Sequence, residues 1–166
     1  MRAWMLIVVL AAAMPLRSEE GVTPTASATL TQDQVLTRYY EEAVGQGNFE
    51  VIDSLFDEAF ETDAAVPGLK KGREGLKGFL KALRTAFPDA KLEVIQRVSQ
   101  GGTVACRYKF SGTHTAKFFG IKATKKKASV SGVDIWEFKD GKVVGQHGNF
   151  DSLGLLVQLG IAPELK

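Results

Sequence analysis

The hydrophobic repeat of this chain switches once, near Ala90, from helical to extended spacing, and a compact domain must reconcile the two halves. Before that point Thr31-Gln32-Asp33-Gln34 fits a capping box at a helix start. Val35, Leu36, Tyr39, Tyr40, Ala43 and Val44 then recur at helical spacing until Gly45 and Gly47 end the run. Asn48 can cap a shorter helix whose apolar face is Val51, Ile52, Leu55 and Phe56. After an extended piece near Phe60, GREGLKGFLKALRTAF predicts a third helix. It is apolar at Leu76, Phe79, Leu80, Leu83 and Phe87, and Pro88-Asp89 stops it.

Beyond Ala90 the pattern alternates. KLEVIQRVS and TVACRYKFSGTH flank Gly101-Gly102, and ASVSGVDIWEFK and KVVGQHGNF flank Asp140-Gly141, a pair suited to positive φ at both turn positions. Asp151 precedes a short helical run, SLGLLVQLG, which it can cap through the amides of Leu153 or Gly154. Helices followed by a strand meander give an α+β fold, a curved antiparallel sheet covered on one face by the N-terminal helices. Such helices do not seal both ends of a strongly curved sheet, so a cone-shaped apolar cavity is expected. Its walls are expected to be Tyr40, Phe79, Tyr108, Asp134 and Trp136.

The composition removes several classes. A net charge of +2, with local positive charge concentrated in IKATKKK and no stripe of basic and aromatic residues, argues against nucleic acid. One cysteine, Cys106, rules out an intramolecular disulfide, and two histidines far apart give no metal-ligand spacing, so no metal is expected. No phosphate-binding loop, dinucleotide turn, HExxH or nucleophile elbow occurs, and no cofactor is expected. The N-terminus differs in character. Arg2, the apolar stretch Trp4–Met14 and the small residues that follow read as a signal peptide over residues 1–18, with an uncleaved anchor as the alternative. Residues 19–30 read as a linker and 31–166 as one domain. Secretion or export to the periplasm follows, with no stable membrane insertion once the leader is removed.

Three segments carry a family resemblance: PGLKKGREGLKGFLKALRTAFPD, SGTHTAKFFGIKATKKKASVSGVDIWEFKDGKVV and FDSLGLLVQLG. As a set they resemble the SnoaL-like polyketide cyclases and the broader ester cyclases of the nuclear-transport-factor-2-like superfamily. That resemblance spans residues 31–162. It implies a cone-like sheet with an internal pocket, dimers through the outer sheet face, and aldol ring closure by one carboxylate without metal or cofactor. Family members commonly read Glu-His-Trp-Asp where this chain has Gly145-Gln146-His147-Gly148, so the acid/base position is Gly148. Asp151 matches a second family Asp, Asp63 stands where a histidine is common, and His114 and Asp134 match.

Asp134 is the remaining acid/base candidate. Asp is disfavoured inside strands, and alternation puts it with Trp136 and Phe138, where burial raises a carboxyl pKa toward the working range. The alternative is a carboxyl that only hydrogen-bonds a neighbouring Tyr or the backbone. His114 is the expected orienting donor. The expected ligand contacts are Tyr40, Phe79, Tyr108, Trp136, Gln146, His147 and Gly148. Alternation turns His147 to the opposite face unless a bulge at Gly145 or Gly148 returns it. Two functions stay open. One is a cyclase-type lyase or isomerase acting on a hydrophobic or aromatic small molecule. The other is a binding module that has lost the family acid/base. A homodimer through the Val133 and Ile135 face is expected in either case.

Overall fold

The computed structural model describes residues 30–63 and 70–163. The leader and the linker up to residue 29 lie outside the described residues. The first helix, α1 (Gln32–Arg38), starts on the capping box, with Thr31 and Gln34 exchanging side-chain and backbone bonds. It continues as a π-helical segment, Tyr39–Gln46, that Gly47 closes at φ 79°. The wider turn lets the adjacent Tyr39 and Tyr40 both face inward, with Ala43 and Val44. The next helix, α2 (Val51–Leu55), follows Glu50, which makes no side-chain cap, so the expected Asn48 cap is not used. Next come the strand β1 (Phe56–Thr62) and the helix α3 (Gly72–Ala86). The remaining strands are β2 (Lys91–Gln100), β3 (Thr103–Thr113), β4 (Lys127–Lys139) and β5 (Lys142–Phe150). The chain turns into α4 (Ser152–Gln158), capped by Asp151, which accepts from Gly154 N at 2.7 Å.

The five strands run in the order β1-β5-β4-β3-β2. Strands β2 to β5 pair antiparallel, but β1 joins β5 in parallel, so the sheet is mixed rather than purely antiparallel. The expected extended piece near Phe60 is this edge strand. Parallel pairing needs a long connection between partners, and here α3 and three strands intervene. The parallel β1–β5 pairing shifts register between Phe56 and Glu61, and two further shifts re-aim side chains in the antiparallel pairs. One lies between Val94 and Gln96 in β2; the other lies between Glu137 and Phe138, where β5 carries the extra residue Val144.

Two apolar clusters fill the space between helices and sheet. The first gathers Leu36, Tyr39, Tyr40, Ile52, Phe56 and Trp136. Trp136 is 0% exposed, with the Tyr39, Phe56 and Tyr40 rings edge-on at 5.1, 5.9 and 6.2 Å. The second sits at the other end of β3 and β4, where Phe87, Phe110, Phe118, Leu155 and Leu159 meet. On the opposite face Val133 and Ile135 stay 43% and 41% exposed.

Candidate functional site

Four inward positions form one row across the sheet. Arg97 of β2 pairs with Cys106 of β3, Cys106 with Asp134 of β4, and Asp134 with Gly148 of β5. Asp134 is 7% exposed. Its Oδ1 accepts from Gln146 Nε2 at 3.2 Å and its Oδ2 from the Tyr40 hydroxyl at 3.4 Å. The Tyr40 oxygen in turn accepts from Trp136 Nε1 at 3.1 Å. Gln146 is held from the other side by Thr62, whose hydroxyl donates to Gln146 Oε1 at 3.4 Å. A chain of hydrogen bonds thus ties β1, β5, β4 and the first helix to one carboxyl.

Burial governs the electrostatics. Desolvation pushes the Asp134 carboxyl up to about 6, against the opposing pull of the bonds from Gln146 and Tyr40. The Tyr40 phenol is driven far above its ordinary range by burial and then by Asp134, so it remains a neutral donor. Tyr108 shifts upward for the same two reasons. Its ring lies over Gly132, where a Cβ would collide with it. A carboxyl near 6 is mostly ionised at neutral pH, yet retains appreciable proton affinity. That combination suits a general base that later returns its proton.

Gly148 leaves no open space in the sheet. A Cβ built there would run into Asp134 Oδ1. The space left by the missing side chain is taken by the Asp134 carboxyl reaching across from the neighbouring strand. A carboxylate therefore occupies this part of the sheet from the strand next to Gly148.

The other expected site residues do not converge on one cavity. A groove of about 250 Å³ lies between the first helix and edge strand β2, lined by Thr37, Tyr40, Glu41, Leu92, Val94 and Arg97. Of the expected cavity walls only Tyr40 lines it. Trp136 is sealed beneath the tyrosines, because the π-helical turn places two aromatic rings where an opening was expected. Phe79 stacks on Phe119 at 6.1 Å and belongs with the loop that follows β3. A larger depression of about 350 Å³ on the opposite sheet face is lined by Lys91, Lys109, Lys127, Glu93 and two serines. Its polar walls suit an apolar ligand poorly.

His114 is not brought to Asp134. It lies eight residues beyond Cys106 along the β3 direction, about 25 Å at strand rise. It is 0% exposed and stacked on Phe87 at 5.1 Å. Its Nδ1 lies 3.3 Å from Thr124 Oγ1 and 3.4 Å from Thr124 N, and its buried Nε2 has no hydrogen-bond partner among the described residues. His147 pairs with Ile135 on the outer face, because the extra residue Val144 reverses the alternation that buried Val143 begins. Half exposed, it meets Asp63 at 3.0 Å and Glu137 at 3.6 Å. Asp63 also accepts from Gly148 N at 3.3 Å, so this carboxylate clamps the end of β1 to β5. The bond from His147 is the main reason the Asp63 carboxyl sits below its ordinary value. Among the described residues no group of three or more His, Cys, Asp or Glu could hold a metal ion. None of their helices is long and apolar enough to cross a membrane.

Sequence reading passed over Arg97 and Thr62. Arg97 is inward only because of the shift at Ile95, and Thr62 acts through a strand whose pairing is non-local.

The family model for SnoaL-like polyketide cyclases matches residues 34–159. The chain belongs to the SnoaL-like polyketide cyclase family. Solved structures agree with that assignment. TsrD from Streptomyces laurentii superposes with a TM-score of 0.72 at 25% identity, covering 78% of this chain and 95% of TsrD. IdmH from Streptomyces antibioticus gives 0.65 at 26% identity, covering 77% of this chain and 97% of IdmH. A SnoaL-like polyketide cyclase from Agrobacterium tumefaciens gives 0.65 at 19% identity, with 79% and 99% covered, and supports the fold alone. A comparison with curated protein sequences finds no match.

Proposed function

We propose that this SnoaL-like domain binds a hydrophobic or aromatic small molecule beside Tyr40 and moves a proton on it through Asp134. The reaction class is cofactor-free acid/base chemistry such as aldol cyclisation or isomerisation. One observation carries the reading. A buried carboxyl raised to about 6 fills the space that a side chain at position 148 would otherwise occupy. Asp134 accepts one bond at each oxygen from the described side chains, so acceptor capacity remains for a substrate proton. Tyr40 supplies a neutral donor that stabilises the ionised base, and Gln146 fixes the carboxyl plane. His114, remote and packed on Phe87, has no part in this step.

A second reading is a binding module without turnover. It is favoured by Gly148, which leaves the family acid/base position without a side chain, and by the engagement of both Asp134 oxygens. The two separate experimentally. Protein incubated with cell extract, repurified and analysed by mass spectrometry should retain an aromatic or hydrophobic compound. Asp134→Asn should retain the same compound within a few-fold in affinity and cease to convert it. Conversion unchanged by Asp134→Asn would overturn the acid/base assignment. Retention without conversion by either protein would establish the binding module.

We further propose export with removal of the N-terminal apolar segment, supported by Arg2 and the run Trp4–Met14. A homodimer through the Val133 and Ile135 face is proposed on the strength of its exposed apolar surface.

A further inference from the structure

The groove beside Tyr40 contains a cation whose charge the described residues leave unmet. In β2 the register shift at Ile95 reverses the alternation, sending Val98 outward and Arg97 inward. The Arg97 guanidinium lies 5.8 Å from the Tyr40 ring centroid and lines the groove. Its Nη1 donates to the Thr37 hydroxyl at 2.8 Å and to Asp33 O at 3.3 Å, both neutral acceptors. Among the described residues no carboxylate pairs with it, and its Nε is sealed from water without an acceptor. Arg38, Arg73 and Lys77, by contrast, each sit on carboxylates. A half-buried cation lacking its counterion is costly, and so is a buried donor lacking an acceptor. A strut between β2 and the first helix accounts for Nη1 only. It supplies no opposite charge, and Arg97 is the one cation lining the groove.

We propose that the groove takes an aromatic or hydrophobic acid, and that the Arg97 guanidinium binds its carboxylate. The proposal rests on the groove beside Tyr40 being the ligand site. It adds the chemical class and the direction in which the ligand lies. Arg97 and Asp134 occupy the same row two strands apart, about 10 Å between Cα atoms. A one- or two-ring acid anchored at Arg97 lies along the groove against Tyr40, whose hydroxyl donates to Asp134. Glu41, the one carboxylate lining the groove, opposes such an anion and sets its affinity from the other side.

The test uses two probes that share a ring system and differ in charge, 2-naphthoate and 2-naphthamide, titrated into the protein with amide chemical shifts as readout. Wild type should bind the naphthoate roughly tenfold or more tightly than the naphthamide, as expected for a charge-assisted hydrogen bond. Arg97→Gln should remove that preference and leave naphthamide affinity unchanged. Arg97→Lys keeps the charge without the fork and should fall between the two, which covers the case in which Arg97→Gln does not fold. Glu41→Gln should tighten naphthoate and not naphthamide, which places the carboxylate of the probe in the groove. Equal binding of both probes by wild type would overturn the role of Arg97 while leaving the groove as a ligand site. Binding of neither probe would overturn both.

Discussion

Replacing Asp134 by Asn removes the ionisation and keeps the side-chain shape. The wild-type carboxyl stands at about 6 in the folded chain against an ordinary value of 3.8. A group raised in this way favours folding fully below pH 3.8, and the contribution is lost as pH rises through about 6. At about 1.4 kcal/mol per tenfold in proton affinity, the loss amounts to about 3 kcal/mol by pH 8. About 2 kcal/mol of it falls between pH 4.5 and 8. The Asn amide can still accept from Gln146 Nε2, but it faces Tyr40 with a donor, and the phenol must reorient at a cost of about 1 kcal/mol. Urea unfolding should therefore show Asp134→Asn equal to or less stable than wild type at pH 4.5, and more stable at pH 8. The stability difference between the two proteins should move by about 2 kcal/mol across that range. A difference constant with pH, or one that moves against the variant as pH rises, would refute the claim that burial dominates this carboxyl.

Gly148→Ala should cost about 1–3 kcal/mol because its Cβ meets Asp134 Oδ1, and Asp134→Ala should relieve most of that cost in the double variant. Additive costs in a urea double-mutant cycle would show that the two positions do not share space. Val133→Lys should convert a dimer to a monomer in sedimentation; unchanged mass, or a wild type already monomeric, would count against an interface on that face. N-terminal sequencing of exported protein should begin between Met14 and Thr29, and intact Met1 recovered from the cytosol would defeat the leader assignment.

Local chemistry was readable where a residue's role depends on its near neighbours. The Thr31 capping box, the extent of α3 and the Asp140-Gly141 turn, with φ 50° and 78°, all depend on contacts within a few positions. The inward face of β4 followed from alternation, since that strand pairs with β3 without interruption from Thr103 to Thr113. Three features were not readable, each because it is set by a distant partner. In β1 the extended piece near Phe60 is legible, but Phe56 continues the apolar spacing of the preceding helix, and only the non-local pairing with β5 makes it the strand's first residue. In β2 one extra residue at Ile95 reverses every later side chain, so simple alternation puts Arg97 outside. At Gly148 the sequence shows only a missing side chain. That Asp134 fills the gap depends on cross-strand register, which one strand alone does not reveal.

The central claim, that Asp134 is a working acid/base group, is tested most directly by hydrogen–deuterium exchange at the methyl group of 2-acetylnaphthalene in heavy water. Wild type should accelerate the exchange, with the rate rising as pH passes through about 6 and the carboxyl ionises. Asp134→Asn should reduce the rate to that of solvent alone while still binding the ketone. Absence of acceleration by wild type, or acceleration that survives in Asp134→Asn, would contradict the account.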